Sequence, residues 1–245
     1  MFKVSAEDQT FNLGLVVVDM QNGFVSKGGS YDLLGMNTQE YQKIIPKTKE
    51  LIAFCRSKDI PIFYTEAVRE ASGIDLLTRV HRLLPSAREE RLRVPITVRG
   101  TWDAQTIDDI KPTENDHIVI KRRDGAFQDT ELRVWLQSEG INTLIFCGVD
   151  TSICVETSIR EAFNSGYDVI IVSDATASGI RKHYETTLER VRDYYGVVVD
   201  VERFYKMITA LENIKSGHLS GSELSDRFDK FLKEFSLLDI RKVEK

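Results

Sequence analysis

The chain has 245 residues, 42% of them hydrophobic, and a formal net charge of −5, which suits one large α/β domain or a domain with an appendage. Its basic residues are scattered, so nothing suggests a nucleic-acid groove, and its longest apolar runs are too short to cross a bilayer. Its three cysteines show neither disulfide nor zinc-type spacing, and its polar N-terminus lacks the apolar core of a signal peptide. We therefore expect a cytoplasmic protein with free thiols.

Short β-branched runs alternate with helical patterns along most of the chain. The runs predict six strands, at 13–19, 61–65, 117–121, 143–149, 168–174 and 196–204. Apolar residues at helical spacing predict helices at 38–58, 130–140 and 181–195, and a further helix that Thr151 or Ser152 can cap and Gly166 ends. This order predicts an α/β fold with a three-layer, doubly wound (Rossmann-like) sheet of six mostly parallel strands and helices on both faces.

The C-terminal part has a different pattern. A polar, glycine-containing stretch at 215–224 resembles a hinge, and 225–240 has the spacing of an amphipathic helix. We therefore divide the chain into a domain at 1–205 and a C-terminal helical extension at 206–245. The extension is expected to clasp a partner subunit or pack on the surface, with a flexible tail as the alternative.

Three chemically reactive side chains follow predicted parallel strands, at the edge where open sheets bind ligands. Asp19 ends the first strand, Lys121 ends the third, and Cys154 starts the helix after the fourth. Each has an ordinary alternative, since an Asp can stabilise a turn, a Lys can be solvated and a Cys can belong to the core. Their placement at one edge favours a shared site.

The three groups are also chemically complementary. A thiol is a weak nucleophile until it ionises, and both a helix N-terminus and a nearby ammonium favour the thiolate. A carboxylate can accept the thiol proton and return it to a leaving amine. Backbone N–H groups at the helix start can bind a developing oxyanion. The combination predicts acyl transfer through a thioester.

Three segments carry a resemblance to a known family. They are "LVVVDMQNGF" (15–24), "IVIKRRDGAFQDTEL" (118–132) and "GVDTSICVETSIREAFNSGYDVIIVSDATAS" (148–178). In this order they resemble the isochorismatase-like cysteine hydrolases, which include nicotinamidases and N-carbamoylsarcosine, ureidoacrylate and biuret amidohydrolases. The resemblance spans about residues 11–204 and does not reach the C-terminal extension.

The resemblance implies a catalytic triad, which falls on Asp19, Lys121 and Cys154. It also implies a non-proline cis peptide between Val149 and Asp150, with the backbone N–H groups of Asp150 and Cys154 forming the oxyanion hole. The family often has a small residue at position 150. If the Asp150 carboxylate faces the pocket, it would repel an anionic substrate or contact a cationic one. If it points away from the pocket, it would do neither.

A further group of residues is predicted to bind substrate. The "GTW" segment at 100–102 is similar to one in ureidoacrylate and carbamoyl-amide hydrolases, so Trp102 is expected to wall the pocket with Phe24 and Phe127, with packing on the surface of the core as the alternative. On an extended chain Arg123 shares the face of Lys121, and we expect it to bind a substrate carboxylate, with solvent exposure as the alternative.

No metal or other cofactor is expected. The Asp-x-His motif of nicotinamidases is missing from the irregular region 66–100, which offers Glu66, Glu70, Asp75 and a lone His81. A hard-cation site there is left open.

The sequence therefore predicts a metal-independent cysteine amidohydrolase that cleaves a small amide, ureido or carbamoyl C–N bond. Alternatives are a vinyl-ether hydrolase of the isochorismatase type, a nicotinamidase, and a non-catalytic redox or binding protein. The expected partners are a small-molecule substrate and further copies of the chain in a dimer or tetramer, with no nucleic acid or membrane.

Overall fold

The six predicted strands form one parallel sheet. The computed structural model describes residues 11–77, 96–216 and 230. The strands are β1 (Leu13–Val18), β2 (Ile62–Ala67), β3 (His117–Lys121), β4 (Thr143–Val149), β5 (Asp168–Ala177) and β6 (Val197–Val199). They lie side by side in the order β3-β2-β1-β4-β5-β6, and each neighbouring pair is parallel.

The strand order places a crevice at the middle of the sheet. The chain starts at the centre with β1, moves outward through β2 to β3, and then returns to pair β4 with β1. The connections after β1 and β4 therefore leave in opposite directions. In open parallel sheets this switch point, beyond the carboxyl ends of the strands, is where ligands bind.

Side chains of the central strands build a core on each face of the sheet. In β1, Leu15 and Val17 belong to one apolar cluster, whereas Val16 and Val18 belong to a second. Successive strand residues point to opposite faces, so a strand covered by helices on both sides needs apolar residues at every position. The unbroken apolar run of β1 meets this requirement, and the three-layer, doubly wound fold is confirmed.

Helices cover both faces of the sheet. No helix among the described residues is long and apolar enough to span a bilayer. In the described ranges, two 3-10 turns (Trp102–Ala104 and Asp108–Ile110) and two π-helical turns (Thr151–Val155 and Val191–Tyr195) supplement the α-helices. The α-helices are α1 (Asn22–Val25), α2 (Ser30–Leu33), α3 (Gln39–Lys43), α4 (Ile45–Ser57), α5 (Leu132–Ser138), α6 (Glu156–Asn164), α7 (Arg181–Arg190) and α8 (Val201–Ser216).

The helix predicted at 38–58 is divided into α3 and α4. The break is at Ile44, and Pro46 lies in the first turn of α4. Proline has no N–H group to donate and fits the first turn of a helix, where that donor has no partner anyway. The apolar spacing of the segment did not reveal this division, because it continues across the proline.

The C-terminal end of the sheet differs from the prediction. β6 ends at Val199 and α8 follows, so the strand predicted at 196–204 is too long. Phe204, Met207 and Ile208 are buried in the first apolar cluster at helical spacing. The predicted domain boundary after residue 205 thus falls inside a helix that packs on the core. The helix predicted at 225–240 lies outside the described residues, apart from residue 230.

Candidate active site

Asp19 follows the last residue of β1, at the switch point of the sheet. Its backbone has a φ of 49°, in the left-handed region, and its side chain is 1% exposed. The Thr65 hydroxyl on β2 donates to Asp19 Oδ1 at 2.7 Å, and the Asp19 N–H donates to the same hydroxyl oxygen at 3.2 Å. One carboxylate oxygen is thus fixed by the neighbouring strand, which leaves Oδ2 for other partners.

Lys121 ends β3, and its side chain is completely buried. Its ammonium lies 2.8 Å from Asp19 Oδ2 and donates to the carbonyl oxygens of Arg123 (2.9 Å) and Asp124 (2.8 Å). A buried cation needs a counter-charge and polar neighbours, and this set provides both. The loop after β3 therefore curls back to bind the lysine that precedes it.

Cys154 lies in the π-helical turn between β4 and α6, and it is partly buried against the second apolar cluster. Its carbonyl oxygen accepts a hydrogen bond from the Ser158 hydroxyl at 2.7 Å. The same Ser158 oxygen accepts the Ala126 N–H at 3.1 Å. Ser158 therefore ties the cysteine turn to the loop that follows Lys121.

The electrostatics of the site keep the thiol protonated at rest. Burial raises the pKa of Cys154 well above its ordinary value; the Lys121 ammonium opposes this rise, and the Asp19 carboxylate adds to it. Asp19 Oδ2 accepts no hydrogen bond of regular geometry from the described residues, although the ammonium is close. An anionic oxygen with acceptor capacity beside a protonated thiol is suited to general-base chemistry.

The turn before Cys154 has the backbone that the resemblance implies. The peptide bond between Val149 and Asp150 is cis, which confirms that expectation. The Asp150 carbonyl oxygen accepts the N–H groups of Ile153 and Val155, both at 3.1 Å, so the turn folds tightly around Cys154. The oxyanion role of the Asp150 and Cys154 N–H groups stays a prediction.

The Asp150 carboxylate is held on the side of the turn toward α3 and β5. It accepts hydrogen bonds from Tyr41, Ser152, Ser178 and Gly179. With these four residues it lines a cavity of about 550 Å³, whose lining includes none of Asp19, Lys121 and Cys154. Of the two positions considered from the sequence, the structure favours the one in which this carboxylate points away from the substrate.

The predicted substrate-binding residues have varied surroundings. Phe24 is buried edge-on against Tyr31, with ring centroids 4.8 Å apart, whereas Trp102 is 49% exposed. Arg123 donates to the backbone carbonyl oxygens of Asp75 and Arg122 and is only partly exposed. These surroundings leave the roles of Phe24, Trp102 and Arg123 as predictions.

Of the predicted pocket residues, Phe127 has the position that least favours a role in substrate binding. Its ring lies 5.8 Å from that of Tyr167, which follows the C-terminal end of α6. Cys154 precedes the N-terminal end of the same helix. This position does not favour Phe127 as a wall of the substrate pocket. That role is supported by the sequence alone.

Several residues that hold the surroundings of the site in place were not predicted from the sequence. Gln21 is fully buried, accepts the Ala67 N–H at 2.8 Å and donates to the carbonyl oxygens of Ala67 and Ala104. Asp103, next to the conspicuous Trp102, accepts the N–H groups of Ser30 and Thr97. The only sequence signal was their place beside predicted site residues. Others that were missed are Thr65, Ser158 and Glu161, which accepts the Phe127 N–H at 2.9 Å.

The region 66–100 contains the carboxylates that the sequence offered as possible cation ligands. Glu70 binds Arg99 and Arg122, and Glu66 accepts bonds from Thr106, so both carboxylates have protein partners. Within residues 11–77 and 96–216, no group of three or more His, Cys, Asp or Glu side chains could hold a metal ion. His81 lies outside the described residues.

Comparisons with known proteins identify relatives that are similar over most of the chain. Ureidoacrylate amidohydrolase RutB from Yersinia enterocolitica is 31% identical over 204 residues, covering 79% of this chain and 88% of the relative. The same enzyme from Klebsiella pneumoniae is 31% identical over 200 residues, covering 78% and 84%.

Solved structures show the same architecture. N-carbamoylsarcosine amidase from Thermoplasma acidophilum has a TM-score of 0.62 at 26% identity, covering 78% of this chain and 96% of that one. An isochorismatase-like hydrolase from Alkaliphilus metalliredigens has a TM-score of 0.63 at 26% identity, covering 80% and 98%. A family model described as the isochorismatase domain matches residues 14–203. The chain therefore belongs to the isochorismatase family.

Proposed function

We propose that the protein is a cysteine amidohydrolase that cleaves the C–N bond of a small ureido or carbamoyl substrate, without a metal. The observation that carries the proposal is the buried Asp19–Lys121 ion pair, at 2.8 Å, beside the partly buried thiol of Cys154. The names of relatives at about 30% identity support the substrate class, since they are ureidoacrylate amidohydrolases.

The first half-reaction forms a thioester. The Cys154 thiol gives its proton to Asp19 Oδ2 while its sulfur attacks the substrate carbonyl carbon. The resulting oxyanion accepts hydrogen bonds from the backbone N–H groups of Asp150 and Cys154. The C–N bond then breaks, and protonated Asp19 passes the proton to the leaving nitrogen. Ammonia or an amine departs, and the acyl group stays on sulfur.

The second half-reaction restores the enzyme. A water molecule gives one proton to Asp19 Oδ2 and its oxygen attacks the thioester carbon. The C–S bond breaks, the product acid leaves, and the sulfur takes the proton back from Asp19. One water is consumed and one C–N bond is cleaved in the complete cycle.

Lys121 has an electrostatic and positioning role in this scheme. Its ammonium holds Asp19 Oδ2 in place and opposes the rise in the pKa of Cys154 that burial causes. Of the triad, it is the member that stays charged while protons move between sulfur and carboxylate. The raised pKa of the thiol also argues against redox sensing, because oxidants react with the thiolate.

The test is a substrate panel with intact-mass spectrometry. Ureidoacrylate, biuret, N-carbamoyl amino acids and nicotinamide are offered to the wild type, to Cys154→Ala and to Cys55→Ala. Cys55 is a matched control, because it is a buried free thiol in the apolar cluster on the face of the sheet opposite to Cys154. We expect turnover and an acyl adduct in the wild type and in Cys55→Ala, and neither in Cys154→Ala. Full turnover by folded Cys154→Ala contradicts the mechanism.

We further propose that the enzyme works in the cytoplasm as a homo-oligomer. The three free cysteines support a reducing compartment, because no disulfide links them. The mass in solution, measured by light scattering after size exclusion, checks the second point. A mass of 28.0 kDa, that of one chain, would contradict it.

A further inference from the structure

The side chain of Asp150 takes no part in the proposed reaction, but it contacts the turn that contains Cys154. Asp150 Oδ1 accepts the Ser152 N–H at 2.7 Å and the Ser152 hydroxyl at 2.8 Å. This caps the start of the π-helical turn that contains Cys154. The carboxylate therefore fixes the first residues of that turn from within the turn itself.

The other carboxylate oxygen binds two separate parts of the chain. Asp150 Oδ2 accepts the Tyr41 hydroxyl at 2.8 Å, the Ser178 hydroxyl at 2.9 Å and the Gly179 N–H at 3.3 Å. Tyr41 belongs to α3 and is 1% exposed, and Ser178 and Gly179 directly follow β5. One carboxylate thus joins the cysteine turn to α3 and to the residues that follow β5.

These contacts suit a role in positioning better than a role in substrate binding. Five donors use the acceptor capacity of one carboxylate, so little remains for a ligand. Burial and the Asp150 carboxylate raise the pKa of Tyr41, so its hydroxyl stays a donor at any working pH. Hydrogen bonds to an ionised acceptor are shorter and stronger than neutral ones, which makes them effective in holding a turn.

We propose that Asp150 is a positioning residue whose side chain, held by Tyr41 and Ser178, sets the direction of its own backbone N–H and the position of Cys154. This inference rests on the proposed function for its kinetic test. Its structural part, the stiffness of residues 150–155, can be measured without turnover. The side chain that the sequence marked as a departure from the family thus acts through the backbone.

The experiment removes donors and leaves Asp150 intact. Tyr41→Phe and Ser178→Ala each delete one hydroxyl, and Ser178→Thr keeps it. Tyr64→Phe is the matched control, because Tyr64 is also 1% exposed in the same apolar cluster, and its hydroxyl contacts Arg56. The readouts are kcat, KM and amide hydrogen exchange of residues 150–155.

We expect the Tyr41→Phe/Ser178→Ala double variant to lose roughly ten- to a hundred-fold in kcat, because misplacing reacting groups by about an ångström costs that much. KM should change by less than about three-fold, since the loss is confined to the transition state. Exchange in the turn should become faster, and Ser178→Thr should restore both readouts in the single-site comparison. Tyr64→Phe should change neither.

Two outcomes overturn the inference. One is an unchanged exchange rate in the turn of the double variant. The other is an equal loss of kcat in Tyr64→Phe, which shows that general destabilisation is the cause. If the wild type cleaves no compound of the panel, the proposed function fails, and the exchange comparison alone still decides whether Asp150 fixes the turn.

Discussion

Replacing Lys121 by Met should destabilise the protein as well as inactivate it. The lysine is 0% exposed and its partner Asp19 is 1% exposed, so the change leaves a buried carboxylate without its counter-charge. Breaking one side of a buried ion pair typically costs about 3–5 kcal/mol. The carbonyl oxygens of Arg123 and Asp124 lose a donor in addition.

This loss converts into a large shift in melting temperature. For a chain of this size, each kcal/mol shifts Tm by about 2–4 °C, so the expected decrease is about 6–20 °C. Burial lowers the pKa of Lys121, but Asp19 and the other acidic groups around the ammonium together raise it by more, so the net shift is upward. Stability from a group with a raised pKa is present below its unfolded pKa of about 10.4 and is lost only as the pH rises through the folded value. Melting curves at pH 7–8 therefore measure the full effect.

A second substitution tests whether the cause is the unpaired charge. Adding Asp19→Asn to Lys121→Met removes the buried charge while leaving an acceptor for Thr65, so the double variant should melt above Lys121→Met. Urea unfolding of the wild type, both single variants and the double variant gives the coupling energy. A Lys121→Met protein as stable as the wild type, or a double variant that is less stable than Lys121→Met, would refute the reasoning.

Three further predictions concern the surroundings of the ion pair. Because burial raises the pKa of Cys154, alkylation by iodoacetamide should accelerate about tenfold per pH unit above neutrality, and a plateau already at pH 7 would contradict the protonated thiol. Ser158→Ala should cost about 1–3 kcal/mol in unfolding free energy and lower kcat, whereas Thr143→Val, a buried hydroxyl at the other end of β4, should affect stability alone. In Gly125→Ala the new Cβ would lie 2.2 Å from both carboxylate oxygens of Glu161, so the measured loss of stability should shrink in a Glu161→Ala background.

The layout of the fold could be predicted from the sequence because each central strand is an unbroken apolar run. Such runs indicate a sheet covered on both faces, and the alternation with helices then leaves few topologies. The strand ends consequently pointed to Asp19, Lys121 and Cys154 as neighbours. Short-range effects were harder to predict, such as the break before Pro46 and the change from strand to helix at Val201.

The hydrogen-bond partners of the site could not be predicted from the sequence. Thr65 and Ser158 are small polar residues whose partners are 46 and 32 positions away in the chain. Hydrophobic periodicity predicts which face of an element a residue occupies, but it does not predict which polar atom of another element binds its side chain. The same limit applies to Asp150, whose partner Tyr41 lies 109 positions earlier.

The order of the strands sets a requirement on the length of one side chain. Because β2 lies between β3 and β1, the bond from Lys121 to Asp19 bridges two strand spacings, or about 10 Å. In the register of the sheet, the residue of β2 beside Lys121 is Ala67, which has a small side chain. The cation that pairs with Asp19 must therefore be carried on a side chain long enough to cross β2, as the four-carbon stem of lysine is.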